Sequence, residues 1–252
     1  MTSDNTGSTR PATRIQRVRH ALRRRDLTVL RVDTPTPGFR RITFTGDDLA
    51  GFTSASFDDH VKLFLDAAAG AEPVRRDYTP RHHDAAAGTL AIEFALHGDG
   101  PAATWAAHAA PGQHAAIGGP RGSFIVPTDF DWHLLVGDET ALPAVARRLE
   151  ELPAGTRAFV VLHVHDAADR RALPSAATVQ VQWVDSGTAL VETVRALDLP
   201  GGEGFAWGAG EAGAMAALRR VLVDERGLDR HAVRVSAYWK QGATAHHEHI
   251  ET

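Results

Sequence analysis

Near residue 130 the hydrophobic pattern of this chain changes period, and that change restricts the fold more than any other feature. Before it, short β-type runs at Leu27–Val32, Arg41–Phe44, Val61–Leu65, Thr89–Leu96 and His114–Ile117 are separated by Gly, Pro and Asp. Short strands at this spacing predict a small antiparallel barrel. One interruption, Pro101–Ala109, is Ala-rich and opens on Gly-Pro, which predicts a short helix with proline in its first turn. After the change, strands alternate with helices. The strands are Leu134–Val136, Ala158–Val164, Val179–Val184, Phe205–Trp207 and Val233–Tyr238, and the helices Thr140–Leu152, Ala189–Leu197 and Ala212–Glu225. Alternation of this kind predicts a parallel sheet with helices on both faces. Ala158–Val164 and Val179–Val184 are apolar enough to read as strands buried on both sides. The expected architecture is an N-terminal antiparallel Greek-key β-barrel over 14–129, then a C-terminal α/β domain over 130–242. The polar stretches 1–13 and 243–252 are expected to be a disordered N-terminus and a flexible tail.

A length of 252 residues suits two domains. The chain has no cysteine. A disulfide framework, a thiolate nucleophile and a Cys-ligated iron–sulfur cluster are therefore excluded. Any electrons this protein moves must travel on an organic cofactor. A net charge of −4 argues against general nucleic-acid binding. No apolar run approaches the roughly 18 residues of a membrane helix, and the polar start lacks a secretory h-region. A cytoplasmic monomer is the expectation. Arginine is abundant, whereas Lys62 and Lys240 are the only lysines.

The most informative segment is Arg76-Asp77-Tyr78-Thr79-Pro80-Arg81. A flavin site needs a flat aromatic against the ring system, a small hydroxyl near its reactive nitrogen and a fixed cation for the pyrophosphate. Side chains alternate along an extended strand, so Arg76 and Tyr78 share a face. Arg76, Asp77, Tyr78, Thr79 and Arg81 are thus candidate cofactor contacts; an exposed strand end with ordinary charges is the competing interpretation. The stretch His97-Gly98-Asp99-Gly100-Pro101-Ala102-Ala103-Thr104-Trp105 passes through glycines into a helix start, whose free N–H groups suit a pyrophosphate. Gly118-Gly119-Pro120-Arg121-Gly122-Ser123-Phe124 is a tight loop, with Gly119 and Ser123 as candidate contacts.

The second half lacks Gly-x-Gly-x-x-Gly. Two strand-to-helix turns offer nicotinamide-side sites instead: Asp138-Glu139-Thr140 and Gly208-Ala209-Gly210-Glu211. A tight βα connection explains either turn alone equally well. After His165-Asp166 come Asp169, Arg170 and Arg171; an acid there favours NADH and an arginine NADPH, with a lean to NADPH. His82-His83 and His246-His247-x-His249 are read as a loop pair and part of the tail, not metal ligands.

Taken together, these segments resemble the siderophore-interacting protein family, flavin-dependent ferric-siderophore reductases related to ferredoxin–NADP reductases. The likeness runs from about Arg17 to Gly242 and includes Arg23-Arg24-Arg25-Asp26-Leu27-Thr28-Val29, Gly51-Phe52-Thr53, Asp58-Asp59-His60-Val61-Lys62-Leu63, Asp138–Ala144 and Tyr238-Trp239-Lys240. The resemblance implies FAD on Arg76, Tyr78 and Thr79, with its pyrophosphate at Gly100–Trp105, Trp239 beside the cofactors, and NADPH or NADH as donor. It also implies a basic rim of Lys62, Arg121 and Lys240 for an anionic ferric siderophore. Related flavoproteins often carry a hydroxyl where this chain has Ala103, which leaves backbone N–H groups as the expected phosphate ligands. The implied reaction is electron transfer from NAD(P)H through FAD to siderophore-bound Fe(III), releasing Fe(II). A general flavoprotein reductase serving a protein partner and a non-catalytic siderophore binder are the alternatives.

Overall fold

The computed structural model describes residues 14–65, 74–96, 100–242 and 248–250. The first half forms strands β1 (Gln16–Arg19), β2 (Arg24–Asp33), β3 (Phe39–Thr45), β4 (Val61–Leu65), β5 (Val74–Tyr78), β6 (Pro80–Asp84), β7 (Thr89–Ala95), β8 (His114–Gly118) and β9 (Gly122–Ile125), with helix α1 (Pro101–Ala107) between β7 and β8. Seven of these strands make an antiparallel sheet in the order β5-β4-β8-β2-β3-β7-β6, and β1 pairs with β9. Consecutive strands β5 and β6 stand at opposite edges of that order, so the sheet curls into the expected barrel-like form.

Alternation builds its core. From Arg24 onward β2 reads exposed, buried, exposed, buried, which turns Leu27 and Val29 inward and Arg24 and Asp26 outward. Leu27, Ile42, Phe44, Leu63, Ile92, Phe94 and Ile117 meet inside, and Ala102 and Ala106 of α1 seat the helix against this cluster. Trp105 adds to the packing, its ring centroid 6.4 Å from that of Phe44 and 5.9 Å from that of Phe94.

The second half contains β10 (Trp132–Gly137), α2 (Leu142–Glu151), β11 (Arg157–His163), β12 (Thr178–Val184), α3 (Gly187–Ala196), β13 (Gly204–Glu211), α4 (Ala212–Arg220), β14 (Val233–Trp239) and β15 (Glu248–His249). The sheet order is β12-β11-β10-β13-β14-β15, parallel except for the last pair. Leu135 and Val160 face α2 and the barrel-side residues Phe39 and Phe57, while Leu134, Val136 and Val161 face α3 and α4. Each face of β10 thereby has its own core.

Three expectations need correction. β12 is not buried on both faces: it is an edge strand, and Val181 is 37% exposed. An apolar run cannot by itself distinguish a central strand from an edge. His82 and His83 lie in strand β6, not in a loop, and His83 packs edge-on against Phe52. Glu248 and His249, assigned to the tail, add an antiparallel strand to β14, where Ser236 Oγ and His249 Nδ1 are 2.7 Å apart.

The halves are joined by buried polar clamps. Asp58 accepts from Trp207 Nε1 at 2.8 Å and from Arg234 Nε at 2.5 Å. Arg147 of α2 donates to Ser54 Oγ and to the carbonyl of Pro80, both at 2.8 Å. Burial disfavours a charged Glu93, but Arg171 from the second half and Arg41 from the first outweigh it and hold its carboxyl below the usual range.

Candidate functional site

Strand β5 carries the site's organising feature. It pairs with β4 so that Tyr78 stands opposite Val61 and Arg76 opposite Leu63, while Asp77 stands opposite Lys62. Val61 and Leu63 are barrel core. Arg76 and Tyr78 therefore lie on the inward face beside α1, and Asp77 and Lys62 on the outward one. Tyr78 packs on Phe94 with centroids 4.4 Å apart, and burial pushes its phenol pKa up. Arg76 donates to the neighbouring carbonyl of Arg75 at 2.8 Å.

Near this inward face lies the start of α1. Gly100 caps it without a side-chain hydrogen bond, and Pro101 occupies its first turn. Ala102 is buried, Ala103 half-buried and Thr104 exposed. His97 and Gly98, also expected at the pyrophosphate, lie outside the described residues.

Several predicted contacts have other partners. Asp77 was grouped with the cofactor residues, but alternation turns it outward, where Lys62 Nζ reaches Oδ1 at 2.7 Å. Thr79 is buried, and its side chain hydrogen-bonds Tyr238 of the second half. Arg81 is held by both carboxylate oxygens of Glu150 on α2, at 2.7 and 2.5 Å, so it fastens the halves together. Ser123 is buried beneath its loop, donating to Asp59 at 2.7 Å and accepting from the Ala55 N–H at 3.2 Å. Burial pushes the Asp59 carboxyl up, against the pull of Ser123 and Ser54. Sequence spacing finds polar residues near a site, but it does not reveal which partner each has in the fold.

Gly119 has φ +95°, a conformation that side-chain-bearing residues rarely adopt, and its carbonyl accepts from buried Arg25 Nη1 at 3.2 Å. Arg25 thus anchors the glycine loop. On the outer side of the same loop lies a cleft of about 510 Å³. Lys62 and Arg121 both line it, as predicted residues brought together. Arg23, Arg24 and His60 line it too, and so does Phe64; sequence reasoning singled out none of these as site residues. Lys240 is exposed at the end of β14 and is not among the residues lining this cleft.

The second-half candidates gather at the C-terminal ends of β10, β13 and β14, where the strand order reverses and α/β proteins place ligands. Asp138 is their hub. Its Oδ1 accepts from the Thr140 N–H and hydroxyl at 2.9 and 2.5 Å, and its Oδ2 from the Glu211 N–H at 2.9 Å and Trp239 Nε1 at 2.8 Å. Thr140 therefore turns back to Asp138 and does not cap α2. Gly210, at φ +153°, is needed here because a Cβ would come within 2.6 Å of Asp138 Oδ2. Gly208 lies inside β13, and its missing side chain makes room for Leu218 of α4, which is a packing role. Glu211 caps α4, accepting from the Gly213 and Ala214 N–H groups at 2.6 and 3.0 Å. Glu139 is half-buried beside them.

Of the residues after β11, Asp169 is buried and accepts from the Gly38 N–H at 2.7 Å, while Arg171 pairs with Glu93. Arg170 remains exposed. No cluster of metal-ligating side chains occurs among the described residues, and among them no helix is long and apolar enough to cross a membrane.

Comparison with known proteins agrees with this layout. A model of the siderophore-interacting protein family matches residues 130–242, and one of the siderophore-interacting FAD-binding domain matches 28–73 and 67–124. A protein of Escherichia coli strain K12 called NADPH-dependent ferric-chelate reductase is 38% identical over 245 residues, covering 89% of this chain and 96% of its own. The ferric vibriobactin reductase ViuB of Vibrio cholerae is 30% identical over 235 residues, covering 82% of this chain and 87% of its own. The crystal structure of a siderophore utilization protein from T. fusca superposes with a TM-score of 0.86 at 35% identity, over 92% of this chain and 98% of that one.

Proposed function

The chain belongs to the siderophore-interacting protein family, and from that premise we propose how its residues serve electron transfer to chelated iron. The protein is an FAD-containing oxidoreductase that uses NADPH to reduce Fe(III) held by a siderophore, releasing Fe(II). Bound FAD supplies the exchange between a two-electron hydride donor and a one-electron acceptor.

The residues on the inward face fit FAD. Arg76 has an exposed cationic end, the first turn of α1 carries no side-chain cap, and Tyr78 offers a partly exposed ring. In this reading Arg76 and the N–H groups of Ala102 and Ala103 hold the pyrophosphate, and Tyr78 flanks the ring system. Gly119 lets the backbone come close. Asp138 and Glu211 position the nicotinamide side by tying three strand ends together, with Trp239 oriented by Asp138. Exposed Arg170 is the group suited to a 2′-phosphate, which favours NADPH over NADH. Lys62 and Arg121 receive the anionic chelate in the cleft, with Lys240 steering from outside it.

The observation that carries the reading is the division of β5, with cofactor residues on one face and a basic cleft behind the other. On this reading the flavin and the ferric chelate would flank one rigid element. The same reading takes the protein to act as a cytoplasmic monomer, where NADPH is supplied. The test is direct: the purified protein should be yellow, release FAD and not FMN on denaturation, and form trapped Fe(II) from a ferric siderophore with NADPH. A colourless protein that takes up no FAD on titration would sink it.

A further inference from the structure

We propose that the short strand β15 is a pH-controlled latch at the junction of the two halves, docked while His249 is neutral and released when it takes up a proton. The latch steadies β14, the strand that carries Trp239 at its end.

The hydrogen bonds at His249 fix the place of its proton. A guanidinium only donates, so Arg234 Nη2, 3.1 Å from His249 Nε2, needs a lone pair on that nitrogen. The single proton of the neutral ring then sits on Nδ1 and is donated to Ser236 Oγ at 2.7 Å. Ser236 is fully buried, so this bond lies at the base of the ring's site. A second proton would set an Nε2–H against the N–H of Arg234, two donors with no acceptor between them. The charged ring has a donor at both nitrogens and offers no arrangement that avoids this.

Arg234 is the place where such a conflict matters. It stands on β14, yet its Nε donates to Asp58 of the first half at 2.5 Å, and its guanidinium carbon lies 4.0 Å from the centroid of Phe124 on β9. His249 adds a third hold on the same guanidinium. Asp58 offsets the charge of Arg234, so what protonation breaks is chiefly the hydrogen bond. Tyr238 shares this face of β14 and lies near both Arg234 and Asp58, and Arg17 of β1 stands 5.5 Å from the Phe124 centroid. Alternation turns Glu248 to the other face, where Ile250 packs toward the core beneath α3 and α4.

The rest of the described docking is slight. Two residue pairs, Ser236 with His249 and Ala237 with Glu248, make the ladder, and the Ile250 N–H donates to the Val235 carbonyl at 3.0 Å. One lost bond is a large share of so short a strand's hold. Once β15 leaves, β14 becomes the edge of the sheet. Its end carries Trp239, which Asp138 orients.

The experiment compares the flavin-loaded wild type with His249→Gln, whose side-chain oxygen accepts from Arg234 and takes up no proton in this range. Nitrogen NMR of the His249 ring should find the Nδ1–H tautomer at about pH 8. Protection of the Ile250 amide against hydrogen exchange, taken relative to the unfolded-chain rate at each pH, should fall about tenfold between about pH 8 and pH 5.5 in the wild type. It should stay level in His249→Gln. His249→Lys, charged throughout, should lack protection even at the upper pH. The KM for NADPH should rise more steeply with acid in the wild type than in His249→Gln. Both proteins keep His133, so its own acid response cancels in that comparison. An Nε2–H tautomer, unchanged wild-type protection, equal falls in the two proteins or coincident KM curves would overturn the proposal. The NMR and exchange measurements need no turnover, so they decide the latch even if the reductase reading fails.

Discussion

The two halves each carry a strand-to-helix turn of the kind that binds phosphate, and they finish it in opposite ways. At α1 the helix start has no side-chain cap, and proline fills the first position. At α4 the protein completes its own turn, with the Glu211 carboxylate on the Gly213 and Ala214 N–H groups. Asp138 does the same for three strand ends. The physical lesson concerns residence time. On the reading proposed above FAD stays bound and would serve as the missing cap, because the helix would rarely be without it. A donor that binds and departs each turnover cannot, so that end must be stable alone.

The largest expected effect is acid loss confined to one half. Burial, helped by Arg148, lowers the His133 pKa to about 3 on β10. Its folded pKa lies below its unfolded one, so this stability is full above about pH 6.5 and is lost progressively as pH falls toward the folded value. Glu93 in the barrel is also depressed, but its contribution is complete above the ordinary glutamate range and fails only at lower pH. Between about pH 6.5 and 4.5, unfolding stability should therefore fall through the α/β half while FAD stays bound. His133→Gln should flatten that limb of the pH–stability curve; an unchanged limb would reject the assignment.

Asp138→Ala should cost on the order of 3 kcal/mol in denaturant unfolding, because it strands several part-buried donors at once. It should raise the KM for NADPH and leave FAD content near wild type. Equal loss of FAD would mean that the two ends are not independent.

Arg76→Ala should weaken FAD by roughly one to two decades, the worth of a charge-assisted bond of about 1.5–3 kcal/mol. Tyr78→Phe should do much less, since its ring packing on Phe94 survives. Equal FAD dissociation constants would remove Arg76 from the pyrophosphate.

Glu211→Ala should cost only about 1 kcal/mol, the usual value of an N-cap. If it abolishes NADPH use without changing stability, the carboxylate contacts the donor and the contrast between the turns fails.

The smallest effect sharpens the outer rim. Lys62→Ala should lower kcat/KM for an anionic ferric chelate more than Lys240→Ala does, because only Lys62 lines the cleft. Both losses should shrink toward roughly 0.15 M salt as screening takes over. Equal losses at all salt concentrations would place the substrate elsewhere.

Much of this was legible beforehand, for identifiable reasons. Period-2 runs such as Leu27–Val29 and Val61–Leu65 face a core whatever their neighbours, so the barrel strands announce themselves. The alternating second half does so equally. Arg76 and Tyr78 were readable as a pair because strand alternation is local. The same alternation sends Asp77 to the opposite face. The cleft residues Arg23, Arg24, His60 and Phe64 carried no site role in the sequence, although the first three stand in family-like segments, since they meet only when β2, β4 and β8 lie side by side.

What the sequence by itself determined is the order of the two architectures, the absence of thiol chemistry and the cofactor class, all of which depend on local period, composition or short motifs. The tertiary structure alone decided which polar residues remain available. Arg81, Thr79 and Ser123 are drawn into Glu150, Tyr238 and Asp59, because buried polar groups must find partners wherever the fold puts them. Long-range pairing sets those partners: alternation alone puts Asp77 and Arg76 on opposite faces, but no spacing along the chain encodes that Asp77 meets Lys62.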